Sequence, residues 1–312
     1  MKCLVTGGAG FIGSNLTEEL LRKGETVRIL DNFATGKREN LTSFLNRIEL
    51  LEGDIRSYHI VLEAVEGVDV IFHQAALPSV PRSIEDPITT NEVNVGGTLN
   101  ILNAARTAGV NTIVYASSSS IYGEGQNLPI HEDTVPKPLS PYAVSKLAAE
   151  KYCIAFARLY KMNIICLRYF NIFGPRQDPT SQYSAVIPKF IYLLQQKKPP
   201  TIFGDGEQTR DFTYISNVVQ ANLLAAERES DFSGEIFNVA GGQGISVNEL
   251  YRHLLSLFNY SLDPIYAPPR EGEVKHSVAD IGKICTEFGF ETVCDFHSGL
   301  EKVVEWFNTH NS

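Results

Sequence analysis

Long apolar runs, blocks of basic residues and paired cysteines are scarce in this sequence, and each absence removes a class of function. No stretch approaches the ~20 apolar residues that a membrane span needs, and no leader-like segment precedes the first strand, so the chain is expected to be cytoplasmic. The net charge is −9 and the lysines and arginines never cluster, which argues against nucleic acid or an anionic membrane as partner. A locally basic anion pocket is still open, so each arginine has to be judged by itself. The five cysteines, Cys3, Cys153, Cys166, Cys285 and Cys294, are odd in number, form no C-x-x-C and partly sit in apolar runs. They read as reduced core residues, and no residue is assigned to a metal. Internal repeats, low-complexity segments and a clear linker are missing as well. A chain of 312 residues can nevertheless bury a sizeable core and carry a smaller second lobe.

What is present begins at the first residue. Met1 to Thr6 reads as a buried strand, and Gly7, Gly10 and Gly13 follow with a G-x-x-G-x-x-G spacing. Glycines so placed permit a tight turn, a close backbone approach to a pyrophosphate and close packing of helix on strand. The turn residues Gly7, Gly10, Phe11, Ile12 and Gly13 are therefore candidate cofactor contacts, with the helix N-terminus facing the phosphates. Ile12, Leu16 and Leu20 recur at helical spacing, Glu18/Arg22 and Glu19/Lys23 are expected as i,i+4 pairs, and Gly24 stops the helix. A second strand, Thr26 to Leu30, ends at Asp31. An acid there accepts both ribose hydroxyls of NAD and repels the 2′-phosphate of NADP. Asn32 follows it in a polar loop that extends to Arg38.

Strand three, Ile48 to Leu51, ends at Gly53-Asp54-Ile55. Asp54 reads either as an adenine contact, with Ile55 beside it, or as an ordinary helix cap before Ser57. Strand four, Val68 to Phe72, ends at His73-Gln74-Ala75-Ala76, where Ala75 and Ala76 leave room for a pyrophosphate or nicotinamide ribose. A long helix from about Ile88 to Ala108, which contains the cofactor candidate Asn94 and closes at Gly109, leads into strand five, Thr112 to Ala116. This alternation predicts a parallel sheet with right-handed crossovers. A hydroxyl cluster, Ser117 to Ser120, then stands at a strand's carboxyl end, where open α/β sheets bind ligands. Twenty residues on, Ser140 suits an N-cap and Pro141 the first helical position, which makes Tyr142 and Lys146 neighbours on one helix face. Bringing a tyrosine from ~10 to about 7 requires roughly 4 kcal/mol, the order that one cation at ~4 Å contributes at an effective dielectric of about 20. Lys146 is thus expected to make Tyr142 a base. The plain alternative is a packed ring beside a solvated ammonium.

The glycine turn, Ser118, Tyr142 and Lys146 together resemble the extended short-chain dehydrogenase/reductase family, and the similarity runs the whole chain. The resemblance implies a Rossmann-type doubly wound parallel sheet, residues 1–170 plus about 207–240, with a smaller mixed α/β substrate lobe formed by about 171–206 and 241–312. It makes Ser118, Tyr142 and Lys146 catalytic, with Ser118, four residues before Tyr122-Gly123, hydrogen-bonding the substrate oxygen and Lys146 also holding the cofactor ribose. Tyr169 joins the cofactor contacts. Dehydratases of nucleotide sugars carry Asp-Glu after that hydroxyl, whereas Ser119 and Ser120 stand here, and two serines are poor at the acid and base work of elimination. The pattern Arg168 to Pro179 is similar to nucleotide-sugar epimerases, in which Asn171 would contact the substrate phosphate. Thr201 and Phe203 would hold uracil, and Arg210 and Arg270 would clamp the diphosphate, with salt bridges to Asp211 and Glu271 as the alternative. Ser119, Ala185 in Tyr183-Ser184-Ala185, and Ser277 would line the sugar pocket, Ser277 as a gate for the 2-substituent. Pro78 and Asn217 depart from the pattern, since relatives often have Gly and Asp there. The implied activity is inversion at C4 of a UDP-hexose, including N-acetylated ones, by transient hydride transfer to tightly held NAD. A UDP-glucuronate 4-epimerase, a dehydratase and a non-catalytic NAD sensor are the alternatives. Pairing of the helices Ile88 to Ala108 and Pro141 to Tyr160 would build a homodimer through four helices.

Overall fold

The computed structural model describes residues 1–125, 127–179, 185–228, 234–269 and 274–310. Its spine is a seven-stranded sheet of β1 (Lys2–Thr6), β2 (Thr26–Asp31), β3 (Ile48–Glu52), β4 (Val70–His73), β5 (Thr112–Ser118), β6 (Asn163–Tyr169) and β11 (Glu235–Val239). Every neighbouring pair is parallel and the spatial order is β11-β6-β5-β4-β1-β2-β3. The order reverses between β1 and β4, and ligands of open α/β sheets bind outside the strand ends at such a point. Helices α1 (Phe11–Arg22) and α8 (Ile215–Glu227) cover one face; α2 (Tyr58–Val65), α5 (Thr98–Ala108) and α6 (Pro141–Tyr160) cover the other. Strands buried on both faces read as near-continuous apolar runs, which is why Cys3-Leu4-Val5 and Ile164 to Leu167 lack alternation.

The smaller elements gather at the carboxyl ends of the strands. Strand β7 (Ile172–Phe173) pairs with β10 (Thr213–Tyr214), and β8 (Thr201–Phe203) with β13 (Ile265–Ala267). Strand β9 (Thr209–Asp211) lies between β12 (Gly244–Ser246) and β14 (His276–Ser277). Helices α7 (Val186–Gln195), α9 (Val247–Phe258), α10 (Gly282–Phe288) and α11 (Phe296–His310) complete this region, and its core is continuous with one face of the main sheet. All five cysteines are free thiols, four of them buried. Among the described residues no helix is long and apolar enough to cross a membrane.

Three local readings change. The helix expected from Ile88 to Ala108 starts at Pro87, after the Asp86 carboxylate caps the Thr89 N–H at 3.0 Å. It is interrupted by a π-helical turn over Glu92–Gly97 between α4 (Pro87–Asn91) and α5. A short helix α3 (Val80–Glu85) and 3-10 segments at Arg38–Arg47 and Ser119–Tyr122 were not expected. The i,i+4 pairs on α1 do not form: Arg22 bonds Glu19 at 2.6 and 2.7 Å, Glu18 accepts from Arg176 at 2.6 Å, and Lys23 reaches Glu227 at 3.6 Å. Tertiary partners take Glu18 and Lys23, and Arg22 keeps a local partner at i,i−3.

Candidate active site

A cavity of about 960 Å³ follows the carboxyl edge of the sheet from β2 to the start of α6. Its floor is the glycine turn. A Cβ at Gly7, where φ is +70°, would lie 2.8 Å from the Ala75 backbone, and one at Gly13 would lie 2.2 Å from the Gly7 carbonyl oxygen. The spacing therefore serves close approach of the turn to β4 and of α1 to the turn. Gly10 is the N-cap of α1 and has no side chain to cap it, so the first-turn N–H groups beside Phe11 and Ile12 are left for an anion in the cavity. Ala75 and Ala76, beside the turn, also line the cavity.

Asp31 ends β2 inside the same cavity. Its carboxylate accepts the Ala9 N–H at 2.9 Å and the Phe33 N–H at 2.8 Å, one on each oxygen, which leaves a further lone pair on each for a ribose diol. Burial pushes its pKa up against those two donors. Asn32 donates to Asp54 at 2.9 Å, and Arg56 forks onto Asp54 and holds its carboxyl down to about 2. Asp54 is not a helix cap: Ser57 occupies the N-cap of α2, and Asp54 and Ile55 line the cavity wall.

Ser118, Tyr142 and Lys146 meet where β5 ends and α6 begins. The Ser140 hydroxyl caps α6 on the Ala143 N–H at 3.2 Å and Pro141 takes the first turn, so Tyr142 and Lys146 share one face, both on the cavity wall. Ser118 hydrogen-bonds the Tyr142 phenol, and its oxygen also accepts the Ser120 N–H at 3.2 Å. Behind them Ser117 donates to Glu150 at 2.7 Å; Arg168 forks onto Glu150 at 2.7 and 3.0 Å and donates to Tyr122 at 2.8 Å. This buried network ties the end of β5 to α6 and β6.

The expected depression of the tyrosine by its lysine does not appear. Burial pushes the Tyr142 phenol up, with the Ser118 hydrogen bond as the opposing influence. Lys146 is 4 % exposed, its ammonium stands 4.6 Å from the centre of the Tyr115 ring, and burial brings it down to about 8. Desolvation is the leading influence on both groups. His73 is buried between the Thr6 and Thr98 hydroxyls at 2.7 and 2.9 Å, and burial pushes it down to about 3.

A second cavity, about 270 Å³, is lined by Asn171, Thr201, Phe203 and Arg210, and it shares Ala185 with the first. The Arg210 guanidinium donates to the Thr209 and Lys275 carbonyls at 2.9 and 3.1 Å. Asp211 is not its salt-bridge partner. That carboxylate turns inward to the Gly241, Gly242 and Ala279 N–H groups at 2.8, 3.2 and 3.1 Å, and burial raises it to about 6. Ser277 pairs in register with Arg210 on the neighbouring strand. Among the described residues, Asn94, Ser118, Ser119 and Ser277 are not part of either cavity wall, and Ser118 meets the site through its hydrogen bond to Tyr142. Asn94 lies in the π turn and bonds the Leu77 backbone at 2.8 and 3.2 Å and Ser145 at 3.0 Å, so it braces the wall from behind. Arg270, Glu271, Tyr183 and Ser184 lie outside the described residues. Tyr169 contacts the cofactor cavity and is fixed by Asn222 at 2.8 Å and Gln74 at 3.2 Å. Sequence reasoning missed the mouth of the larger cavity, where Lys37 pairs with Asp178 at 3.1 Å, because two loops distant in the chain supply it.

Residues 3–240 match the NAD dependent epimerase/dehydratase family. The chain belongs to that family. A UDP-glucose 4-epimerase of Mycolicibacterium smegmatis is 37% identical over 311 residues, 98% of each chain. The crystal structure of the Thermotoga maritima UDP-glucose 4-epimerase with UDP-glucose superposes with a TM-score of 0.95 at 35% identity over 100% of both chains. A UDP-N-acetylglucosamine 4-epimerase from Methanobrevibacter ruminantium M1 gives 0.93 at 37% identity over 99% of this chain and 98% of that one. Matches also include a decarboxylase of a UDP-N-acetylglucosaminuronate and a dTDP-glucose 4,6-dehydratase. NAD is the cofactor of this family, and NAD complexes are among the matched structures. The uncapped glycine turn and the acid at the end of β2 fit its pyrophosphate and adenosine ribose, and Lys146 and Tyr142 stand at the other end of the cavity. Asn217, expected from the resemblance to be a departure, has a physical reason. Its amide donates to the Cys294 carbonyl at 2.7 Å and accepts the Cys294 N–H at 3.0 Å, a two-way bond that a carboxylate lacks the donor to make.

Proposed function

We propose that this enzyme inverts C4 of UDP-hexoses, UDP-glucose and UDP-galactose together with their N-acetylated counterparts. The observation that carries the reading is one arrangement: Tyr142, hydrogen-bonded to Ser118 and four residues before Lys146, stands on the wall of a cofactor cavity that adjoins a smaller cavity through Ala185. Thr201 and Phe203 of β8 suit a uracil ring, and Asn171 and Arg210 suit a diphosphate. Arg270 is proposed as the second arginine of that clamp. Tyr142 takes the proton of the substrate 4-hydroxyl and returns it; Ser118 hydrogen-bonds the 4-oxygen; Lys146 holds the nicotinamide ribose. When bound, the cofactor supplies a reversible hydride acceptor for C4 and a positive charge beside the phenol. That charge matters because burial pushes the Tyr142 phenol up, against the direction a base requires. The sugar turns over as its 4-ketone, C4 regains its hydride on the other face, and the same tyrosine returns the proton to the 4-oxygen.

Elimination is the weaker reading. Ser119 starts a 3-10 turn and Ser120 is engaged with the Ser118 hydroxyl at 2.9 Å, so no carboxyl group follows Ser118 to work at C5 and C6. Incubating the purified protein separately with UDP-glucose, UDP-N-acetylglucosamine and UDP-glucuronate, without added NAD, tests the proposal. The two hexoses should reach equilibrium with their C4 epimers. Turnover of the uronate alone, or loss of water from any substrate, overturns it. The family resemblance gives the 2-substituent to Ala185, which lines both cavities, and to Ser277, which lies outside both walls but beside Arg210 in register. Ser277→Tyr should abolish turnover of the N-acetyl sugars and spare the plain hexoses, since overpacking a fitted site costs about 1–3 kcal/mol. A parallel fall of both classes removes the gate from Ser277.

A further inference from the structure

Away from the cleft, α9 and the first turn of α11 bring together Glu249, His253 and His297. Glu249 and His253 are spaced i,i+4 on α9 and so project from one face, and His297 is the second residue of α11. Their ligand atoms, one carboxylate oxygen and one ring nitrogen from each imidazole, all lie within 4.8 Å of one another. The two rings are 4.2 Å apart at centre and inclined by 60°. We propose that these three side chains form a binding site for a divalent transition metal, zinc first among them, that clamps α9 to α11.

Two imidazoles and one carboxylate are a donor set for zinc and its neighbours; magnesium and calcium select oxygen-rich sets. A tetrahedral zinc with bonds of about 2.0–2.2 Å holds its donors about 3.4 Å apart, a distance that small rotations of half-buried and exposed side chains reach from here. Three protein ligands leave the fourth position to water. The backbone under the set is already fixed. The Ser246 hydroxyl caps α9 on the Glu249 N–H at 3.1 Å, and the Asp295 carboxylate caps α11 on the Ser298 N–H at 2.9 Å. Only side-chain freedom is therefore lost on binding, which favours affinity. The site also has a path to the substrate region. Phe296, next to His297, stacks on Phe212 at 5.7 Å and meets Phe173 edge-on at 5.8 Å, and both of those rings line the smaller cavity. A metal that fastens His297 to α9 thus stiffens the wall behind that cavity.

The test uses the full chain, freed of any affinity tag and passed over a chelating resin. Co²⁺ is titrated in, the visible absorption of four-coordinate cobalt is followed, and Zn²⁺ is then added in competition. The site predicts one Co²⁺ per chain with micromolar or tighter affinity, displacement by Zn²⁺ but not by excess Mg²⁺, and a Zn²⁺-dependent rise in melting temperature. His297→Ala and His253→Ala should each weaken binding by tenfold or more and abolish the melting shift. His59→Ala and His310→Ala, at exposed histidines elsewhere, should change neither. No cobalt spectrum, equal competition by Mg²⁺, or binding undiminished in His297→Ala and His253→Ala overturns the proposal. The readout needs no substrate and is independent of the activity proposed above.

Discussion

Removing one oxygen from Tyr142 isolates the proton-transfer step, because its described hydrogen-bond partner is Ser118, which keeps its bond to Ser120. Tyr142→Phe should fold normally, retain NAD and lose about a hundredfold or more in turnover, the scale of a positioned general base. Near-normal activity in that variant would remove the assignment. Asp31 presents a compound case. It repels a 2′-phosphate, yet it also satisfies the Ala9 and Phe33 N–H groups, and leaving a buried donor unpaired costs about 1–3 kcal/mol. NAD should therefore bind far better than NADP to the parent. Asp31→Ala should narrow that gap while lowering NAD affinity and melting temperature together. Equal affinities of the parent for the two cofactors, measured by fluorescence titration, would refute the role. The residues that carry these predictions were legible because their chemistry depends on short spacings: glycines three residues apart at 7, 10 and 13, an acid at a strand end, a tyrosine four before a lysine. The direction of the Tyr142 shift was not legible, because it is set by burial among strands and helices far apart in sequence.

At the scale of elements, His73 fastens β4 to β1 through Thr6 and to α5 through Thr98. Its pKa falls from 6.5 to about 3 in the fold, so the unfolded chain binds the extra proton first, and the contribution of His73 is lost as pH falls from 6.5 towards 3. The slope is about 1.4 kcal/mol per pH unit. Asp211, which joins β9 to the Gly241 turn and to Ala279, does the opposite. Raised from 3.8 to about 6, it favours the folded state as pH falls through that interval. The two slopes offset between about 6 and 4. The parent should then change little in that range on their account, whereas His73→Gln, which removes one of them, should gain on the parent by about 1.4 kcal/mol per pH unit. Urea unfolding from neutral pH to about 4 checks this, and parallel curves for parent and variant would sink it. The elements themselves were mostly foreseen, since buried strands and amphipathic helices announce their period. The misses share a cause. The π turn that positions Asn94, the short α3 and the paired strands β9, β12 and β14 depend on partners 17 to 67 residues away, as in Asn94 to Leu77 and Thr209 to His276, and no local window contains them.

Across the whole molecule, the least explained surface is an apolar stripe on the paired helices α4 to α6. Ile88 is 72 % exposed, Val144 51 %, Tyr152 41 % and Leu159 72 %. At 3.6 residues per turn, positions 144, 152 and 159 of α6 fall within about 80° of one another, so they form one continuous seam. Helix α4 packs beside α6 and carries the exposed Ile88. A two-fold axis along this seam would bury it in a bundle of four helices, two from each chain, with the cleft left open on the far side of α6. Association has to overcome the repulsion of two chains that each carry −9, so it rests on apolar area and should tighten as salt screens that charge. The protein is therefore expected to sediment as a dimer at micromolar concentration, more firmly at high ionic strength. Leu159→Glu places two carboxylates in the seam, one from each copy, and should yield a folded monomer that still retains NAD. A parent that sediments as a monomer, or a Leu159→Glu variant that remains dimeric, would assign the seam no part in assembly.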